Sequence, residues 1–188
     1  MTEAAQGDVA RMARAFLVAA RAHIGQTRKG KAGIPYINHP AEVAELVAWA
    51  GGDVDTVVAA VLHDVVEDSE TTVAEIAEAF GPQVARLVEA MTNPPEWEEL
   101  PKIEMKLRQA QHMGQASAEA RMIKIADQTS NLRDIAREPE AWEPMAAERY
   151  LEGAGRVVDA CRGTSAALEA AFDEAMAIAR QRLGGTLA

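Results

Sequence analysis

Four short segments of this chain hold side chains able to do chemistry together. The densest is Leu62-His63-Asp64-Val65-Val66-Glu67-Asp68. An imidazole followed at once by a carboxylate offers a nitrogen and an oxygen ligand side by side. Such a set suits a divalent first-row metal such as Mn²⁺, Fe²⁺ or Zn²⁺. On a helix, Glu67 and Asp68 fall one turn beyond His63 and Asp64, on the same sides. The carboxylates of Asp64, Glu67 and Asp68 then repel one another, and a cation is the simplest compensation. The apolar run at 57–62 marks this helix as buried, where unpaired charge is costly.

The other three segments are sparser. In Ile34-Pro35-Tyr36-Ile37-Asn38-His39-Pro40, His39 precedes a proline placed to open a helix. Alone, His39 reads either as a structural hydrogen-bonder or as a ligand. In Ile123-Lys124-Ile125-Ala126-Asp127, followed by Asn131-Leu132-Arg133, Asp127 falls in an apolar helical stretch and needs a partner. That partner is Arg133 or Lys124 in a buried salt bridge, or a metal that takes Asp127 as a fourth ligand. The last segment, His23-Ile24-Gly25-Gln26-Thr27-Arg28-Lys29-Gly30-Lys31, sets basic residues beside glycines. Such a cluster either sits idle in solvent or wraps a phosphate and stacks on a base.

The elements that must position these groups read as helices. Apolar spacing is near 3.6 throughout, and Ala, Glu, Arg, Leu and Met dominate. The pattern predicts helices at about 8–24, 40–50, 53–67, 72–79, 82–92, 101–114, 117–137, 141–162 and 165–183. Asp53 can cap the third, Thr72 with Glu75 forms a capping box, and Thr164 or Ser165 can cap the last. Gly81-Pro82 ends one helix and begins the next. No convincing alternating strand appears, so the class is all-α. Two loops stand out, at 26–36 and 92–100. The last helix presents Leu168, Phe172, Ala175, Met176, Ala179 and Leu183 as one stripe, for the chain's own core or for a second copy.

Composition narrows the function classes. At 188 residues the chain fits one domain, expected to fill 1–188 with its core at about 9–183. It is 48% hydrophobic and holds a single cysteine, Cys161, which points to a reducing, cytoplasmic setting. No signal-peptide pattern and no long apolar stretch appears, so no membrane partner is expected. The formal net charge of −10 argues against a general nucleic-acid binder. The charge is unevenly spread. Residues 1–39 carry six basic and two acidic side chains, whereas residues 40–100 carry fourteen acidic side chains and the single base Arg86. Acid that holds a cation and base that holds an anion would produce this gradient, and so would a solvated acidic face.

The order His39, His63-Asp64, Asp127 resembles the H…HD…D signature of the HD-domain metal-dependent phosphohydrolases. The likeness extends to the hydrolase domain of the RelA/SpoT alarmone enzymes. It is carried by His23-x-x-Gln26-x-Arg28-Lys29-Gly30, Pro35-Tyr36-Ile37-x-His39-Pro40 and Leu62-His63-Asp64-x-x-Glu67-Asp68. Phe80-Gly81-x-x-Val84 and Lys124-x-Ala126-Asp127-x-x-x-Asn131-Leu132-Arg133 continue it, from about residue 9 to residue 183. The length leaves no room for a synthetase domain, so the resemblance is to the single-domain alarmone hydrolases. It implies a compact HD bundle of about eight to ten helices.

The resemblance also implies a reaction: removal of the 3′-pyrophosphate of guanosine tetra- or pentaphosphate, with Mn²⁺. His39, His63, Asp64 and Asp127 would hold the metal, and Glu67 and Asp68 would position and activate water. Arg28, Lys29, Asn131, Tyr150, Lys102 and Lys106 would contact the nucleotide. The partner is then a small-molecule nucleotide, with homo-oligomerisation left open. Another nucleotide, such as NADPH losing its 2′-phosphate, is the competing enzyme reading, and a nucleotide-binding module without turnover is a third. One departure stands out. Gln128-Thr129-Ser130 follow Asp127, where the long alarmone enzymes carry a basic residue and bulkier neighbours. A smaller pocket wall is expected there.

Overall fold

The computed structural model describes residues 3–30, 32–97 and 99–186. Lys31, which closes the basic segment, lies outside them. The helices are α1 (Glu3–Ala22), α2 (Asn38–Trp49), α3 (Val54–Leu62), α4 (Val65–Asp68), α5 (Val73–Phe80) and α6 (Pro82–Met91). They continue with α7 (Lys102–Met113), α8 (Ala118–Arg137), α9 (Pro144–Asp159) and α10 (Ala166–Thr186). No strand forms among the described residues, and the all-α expectation holds. No helix among them is long and apolar enough to cross a membrane.

The expected caps are present. Asp53 Oδ1 accepts from Thr56 N at 2.8 Å to start α3. Thr72 and Glu75 close the capping box of α5. Gly81, at φ 94°, makes the corner between α5 and α6, and Pro82 opens α6. Ser165 Oγ accepts from Leu168 N at 3.4 Å at the start of α10. The helix expected from 141 begins three residues later. Pro139–Ala141 form a 3₁₀ turn, and Glu143 caps α9 by accepting from Met145 N and Ala146 N.

Two elements form the frame. α3 is buried from Thr56 to Leu62 and packs against α1, α2 and α6. α8 packs against α10, α2, α6 and α9, placing Ile123, Ile125, Leu132 and Ile135 in the core. The apolar stripe of α10 belongs to that same core: Leu168, Phe172, Ala175, Met176 and Ala179 are buried and Leu183 packs against them. This settles its use in favour of internal packing.

One expectation is corrected. The predicted 53–67 helix is interrupted at His63-Asp64, between α3 and α4. His63 Nδ1 bonds the Ala60 carbonyl at 2.8 Å, setting a side chain into the backbone ladder. Asp64 then takes φ −99° and ψ −5°. The chain turns there instead of running straight on to Glu67 and Asp68.

Candidate active site

The site lies where that interruption meets the start of α2 and the middle of α8. His63 Nε2 is 3.2 Å from Asp64 Oδ2, and His39 Nε2 is 3.6 Å from the same oxygen. One ligand atom each from His39, His63 and Asp64 lies within 4.8 Å of the others. Asp127 joins through His39, with Oδ1 3.5 Å from His39 Nε2. The structure therefore brings together all four residues expected to hold a metal.

The donor set fits a divalent cation. A backbone carbonyl only accepts, so His63 Nδ1 carries a proton, and in the neutral ring the lone pair is on Nε2. His63 is 1% exposed, and its Nε2 has no hydrogen-bond partner. A buried, unpartnered nitrogen facing a carboxylate is what a metal-binding imidazole presents before it is ligated. Burial disfavours an imidazolium, yet Asp64, with Asp127 behind it, pushes His63 up to about 9. For His39 burial wins and its pKa falls. Burial likewise works against the charged form of Asp64. The two histidines nonetheless hold its carboxyl well below the usual range.

Tyr36 and the α8 side chains support these groups. The Tyr36 hydroxyl donates to Asp64 Oδ2 at 2.7 Å. Asp127 Oδ1 accepts from Asn131 at 2.7 Å, while Oδ2 accepts from Gln128 at 2.9 Å and Lys124 at 3.2 Å. Of the two ion-pair partners considered for Asp127, Lys124 is the one in contact. Arg133 instead pairs with Glu42 at 2.8 Å.

Glu67 and Asp68 sit at the solvent-reachable mouth of the site. Glu67 Oε1 accepts from the backbone N–H of Asn93. Gln109 holds the Asn93 side chain at 2.9 Å. Asp68 Oδ2 lies 3.5 Å from His23 Nδ1. Flanking protein removes part of their hydration and raises both pKa values, and the Asp64 charge adds to this.

A basic and aromatic wall adjoins the carboxylates. Thr27 bridges to Pro35, closing the 26–36 loop into a narrow hairpin that carries Arg28 and Tyr36. Arg28 bonds Asp134 and Asn131 and lies over the Tyr36 ring, 5.1 Å from its centroid. Lys29 Nζ lies 3.6 Å from the centroid of Trp142, which packs on Tyr150 at 5.4 Å. Lys106 Nζ lies 5.0 Å from the Tyr150 centroid and donates to Gln128 Oε1 at 3.1 Å. A pocket of about 320 Å³ lies among Lys102, Lys106, Trp142, Arg149 and Tyr150. Burial lowers the Lys106 pKa to about 8.

Sequence reasoning missed several of these contacts. Trp142 stands just before Glu143-Pro144, and an aromatic beside a helix start was the available signal. Asn93 acts through its backbone N–H, which residue type does not reveal. Gln128, which stands where the long alarmone enzymes carry a basic residue, accepts from Lys106 of α7.

Residues 15–152 match the HD domain family. The chain is 42% identical over 168 residues to the human guanosine-3′,5′-bis(diphosphate) 3′-pyrophosphohydrolase MESH1, covering 88% of this chain and 92% of that one. Its zebrafish counterpart is 42% identical over 154 residues, covering 80% of this chain and 84% of that one. The Escherichia coli bifunctional (p)ppGpp synthase/hydrolase SpoT is 37% identical over 133 residues, covering 69% of this chain and 19% of that longer protein. A solved structure described as a metazoan ortholog of SpoT that hydrolyses ppGpp superposes with a TM-score of 0.81 at 36% identity. It covers 92% of this chain and 96% of its own. With the histidine and aspartate set in place and the match running through it, the chain belongs to the HD domain family.

Proposed function

We propose that this chain hydrolyses the 3′-pyrophosphate of guanosine tetra- or pentaphosphate to GDP or GTP and pyrophosphate, in the cytoplasm, and so damps the stringent response. The observation that carries this reading is the converging His39, His63 and Asp64 set beside the Glu67-Asp68 pair, in a chain whose relatives bear that activity in their names. His39, His63, Asp64 and Asp127 would hold a divalent metal, and Mn²⁺ is our choice. When bound, that metal lowers the pKa of water toward about 7 and offsets charge on the phosphoryl oxygens.

The chain's own groups do the rest. Asn93 holds one oxygen of Glu67, leaving the other to take a proton from the attacking water. The raised Glu67 pKa makes that transfer more favourable. Asp68, beside His23, orients the water. The water oxygen attacks the phosphorus bonded to the ribose 3′ oxygen. The bond from phosphorus to that oxygen breaks, pyrophosphate departs, and the 3′ oxygen takes a proton. Lys102 and Lys106 face the phosphates and oppose their charge. Arg28, already stacked on Tyr36 and tied to Asn131, offers a flat cation to guanine. Lys29 and Tyr150, with Trp142, form the wall against the nucleoside.

The test is turnover of guanosine tetraphosphate with Mn²⁺, measuring pyrophosphate and GDP. Equal amounts of both support the reading. Phosphate released from NADPH, with no pyrophosphate from the tetraphosphate, would assign the site to another nucleotide.

A further inference from the structure

A line of polar side chains runs from His39 away from the other ligands. His39 Nδ1 lies 3.0 Å from the Ser130 hydroxyl. That hydroxyl donates to Glu42 Oε2 at 2.7 Å, and Arg133 Nη1 donates to Glu42 Oε1 at 2.8 Å. Chemistry fixes the direction of each bond. A guanidinium only donates and a carboxylate only accepts. Ser130 has one hydroxyl proton, and Glu42 receives it. Toward His39 the serine oxygen presents only lone pairs, so His39 Nδ1 must carry a proton and donate it. The lone pair of neutral His39 is then on Nε2, the atom facing Asp64 and Asp127.

We infer that Ser130 and Glu42 are positioning residues for the metal site, holding His39 in its Nδ1–H tautomer with Nε2 aimed at the ligand cluster. Two features support this. Ser130 is 1% exposed, so water does not substitute freely for its hydroxyl. The chain also crosses between elements: Glu42 is on α2 beside His39, whereas Ser130 and Arg133 are on α8 beside Asp127. It therefore sets the angle of one ligand relative to the helix bearing another. The two histidines are oriented by different means. His63 uses the backbone carbonyl of Ala60, which no substitution removes, and His39 depends on a side chain. The departure at Gln128-Thr129-Ser130 thus includes a residue with a task of its own.

The inference rests on His39 being a ligand, and the experiment separates the two ideas. Metal-free protein is titrated with Mn²⁺ alone, and the imidazole nitrogens of His39 are followed by ¹⁵N NMR. Wild type is expected to show the proton on Nδ1. Ser130→Ala should weaken Mn²⁺ binding about 10- to 100-fold, the usual effect of losing an outer hydrogen-bond partner. It should also mix the His39 tautomers, and Ser130→Thr, which keeps the hydroxyl, should restore both properties. Glu42→Gln should weaken Mn²⁺ binding in the same direction. If His39→Ala keeps Mn²⁺ affinity, the ligand assignment itself fails. If His39→Ala loses the metal while Ser130→Ala binds it as tightly as wild type, only the positioning role fails. Should Ser130→Ala not fold, the wild-type tautomer and the Glu42→Gln affinity decide. A proton on Nε2, or unchanged Mn²⁺ binding in Glu42→Gln, overturns the inference.

Discussion

His63 has one nitrogen committed to Ala60 and the other bare against Asp64. Truncating either member of this pair removes a donor atom that no neighbour replaces. His63→Ala and Asp64→Ala should each lose metal and turnover together, checked by Mn²⁺ titration alongside a rate assay. Full rate with metal retained in either variant would refute the ligand assignment. Glu67 occupies a different position, held by a backbone amide at the mouth of the site. Glu67→Gln keeps the shape and loses the base. It should bind Mn²⁺ normally and slow the chemical step by about 10²- to 10⁴-fold. Lost metal binding would instead make Glu67 a ligand. Lys106 supplies the pH signature. Its pKa is lowered to about 8, so it is charged below that pH and neutral above it. A phosphate ligand needs the charged form. For tetraphosphate, kcat/KM should therefore fall as pH rises through about 8, and Lys106→Arg should move that limb upward. An unchanged limb in Lys106→Arg would show that another group titrates there.

The helices were legible in the sequence because burial imposes a period, and the period survives in the residue types. The stripe of α10 and the apolar run of α3 are cases where the pattern alone named the core. The break between α3 and α4 was not legible. It follows from one imidazole taking up a carbonyl in its own helix, an event with no periodic trace. The metal ligands were readable as residue types, whereas their supports were scattered. Asn93 and Trp142 lie far from the motifs and meet them only in the fold, and Glu42, though close to His39 in sequence, reaches it only through Ser130 of α8. The α7–α9 contact gives a prediction of the same kind. A Cβ at Gly153 would lie 2.7 Å from Lys106 Cγ, so this glycine lets the lysine stem cross α9 toward Gln128. Gly153→Ala favours the helix by about 1 kcal/mol in propensity but displaces Lys106. KM should rise without loss of stability, and Gly153→Ala combined with Lys106→Ala should be no worse than Lys106→Ala alone. Additive losses would mean that Gly153 acts independently of the lysine.

Across the whole molecule, the net charge of −10 and a polyanionic substrate are compatible because the charge is sorted. Arg28, Lys29, Lys102, Lys106 and Arg149 gather on one wall, and Asp64, Glu67, Asp68 and Asp127 gather beside it. That second gathering has a thermodynamic consequence for the entire fold. A cation that binds this cluster in the folded chain, and not in the unfolded one, acts as a folding ligand. At free Mn²⁺ one hundred times its dissociation constant, linkage adds about 2.7 kcal/mol to the unfolding free energy. For a chain of this length that is a rise of about 5–10 °C in melting temperature. A melting series in Mn²⁺, reversed by a chelator, should show it, and a flat series would deny the cluster its cation. The melting temperature of this protein is therefore a gauge of metal supply, readable before any nucleotide is added.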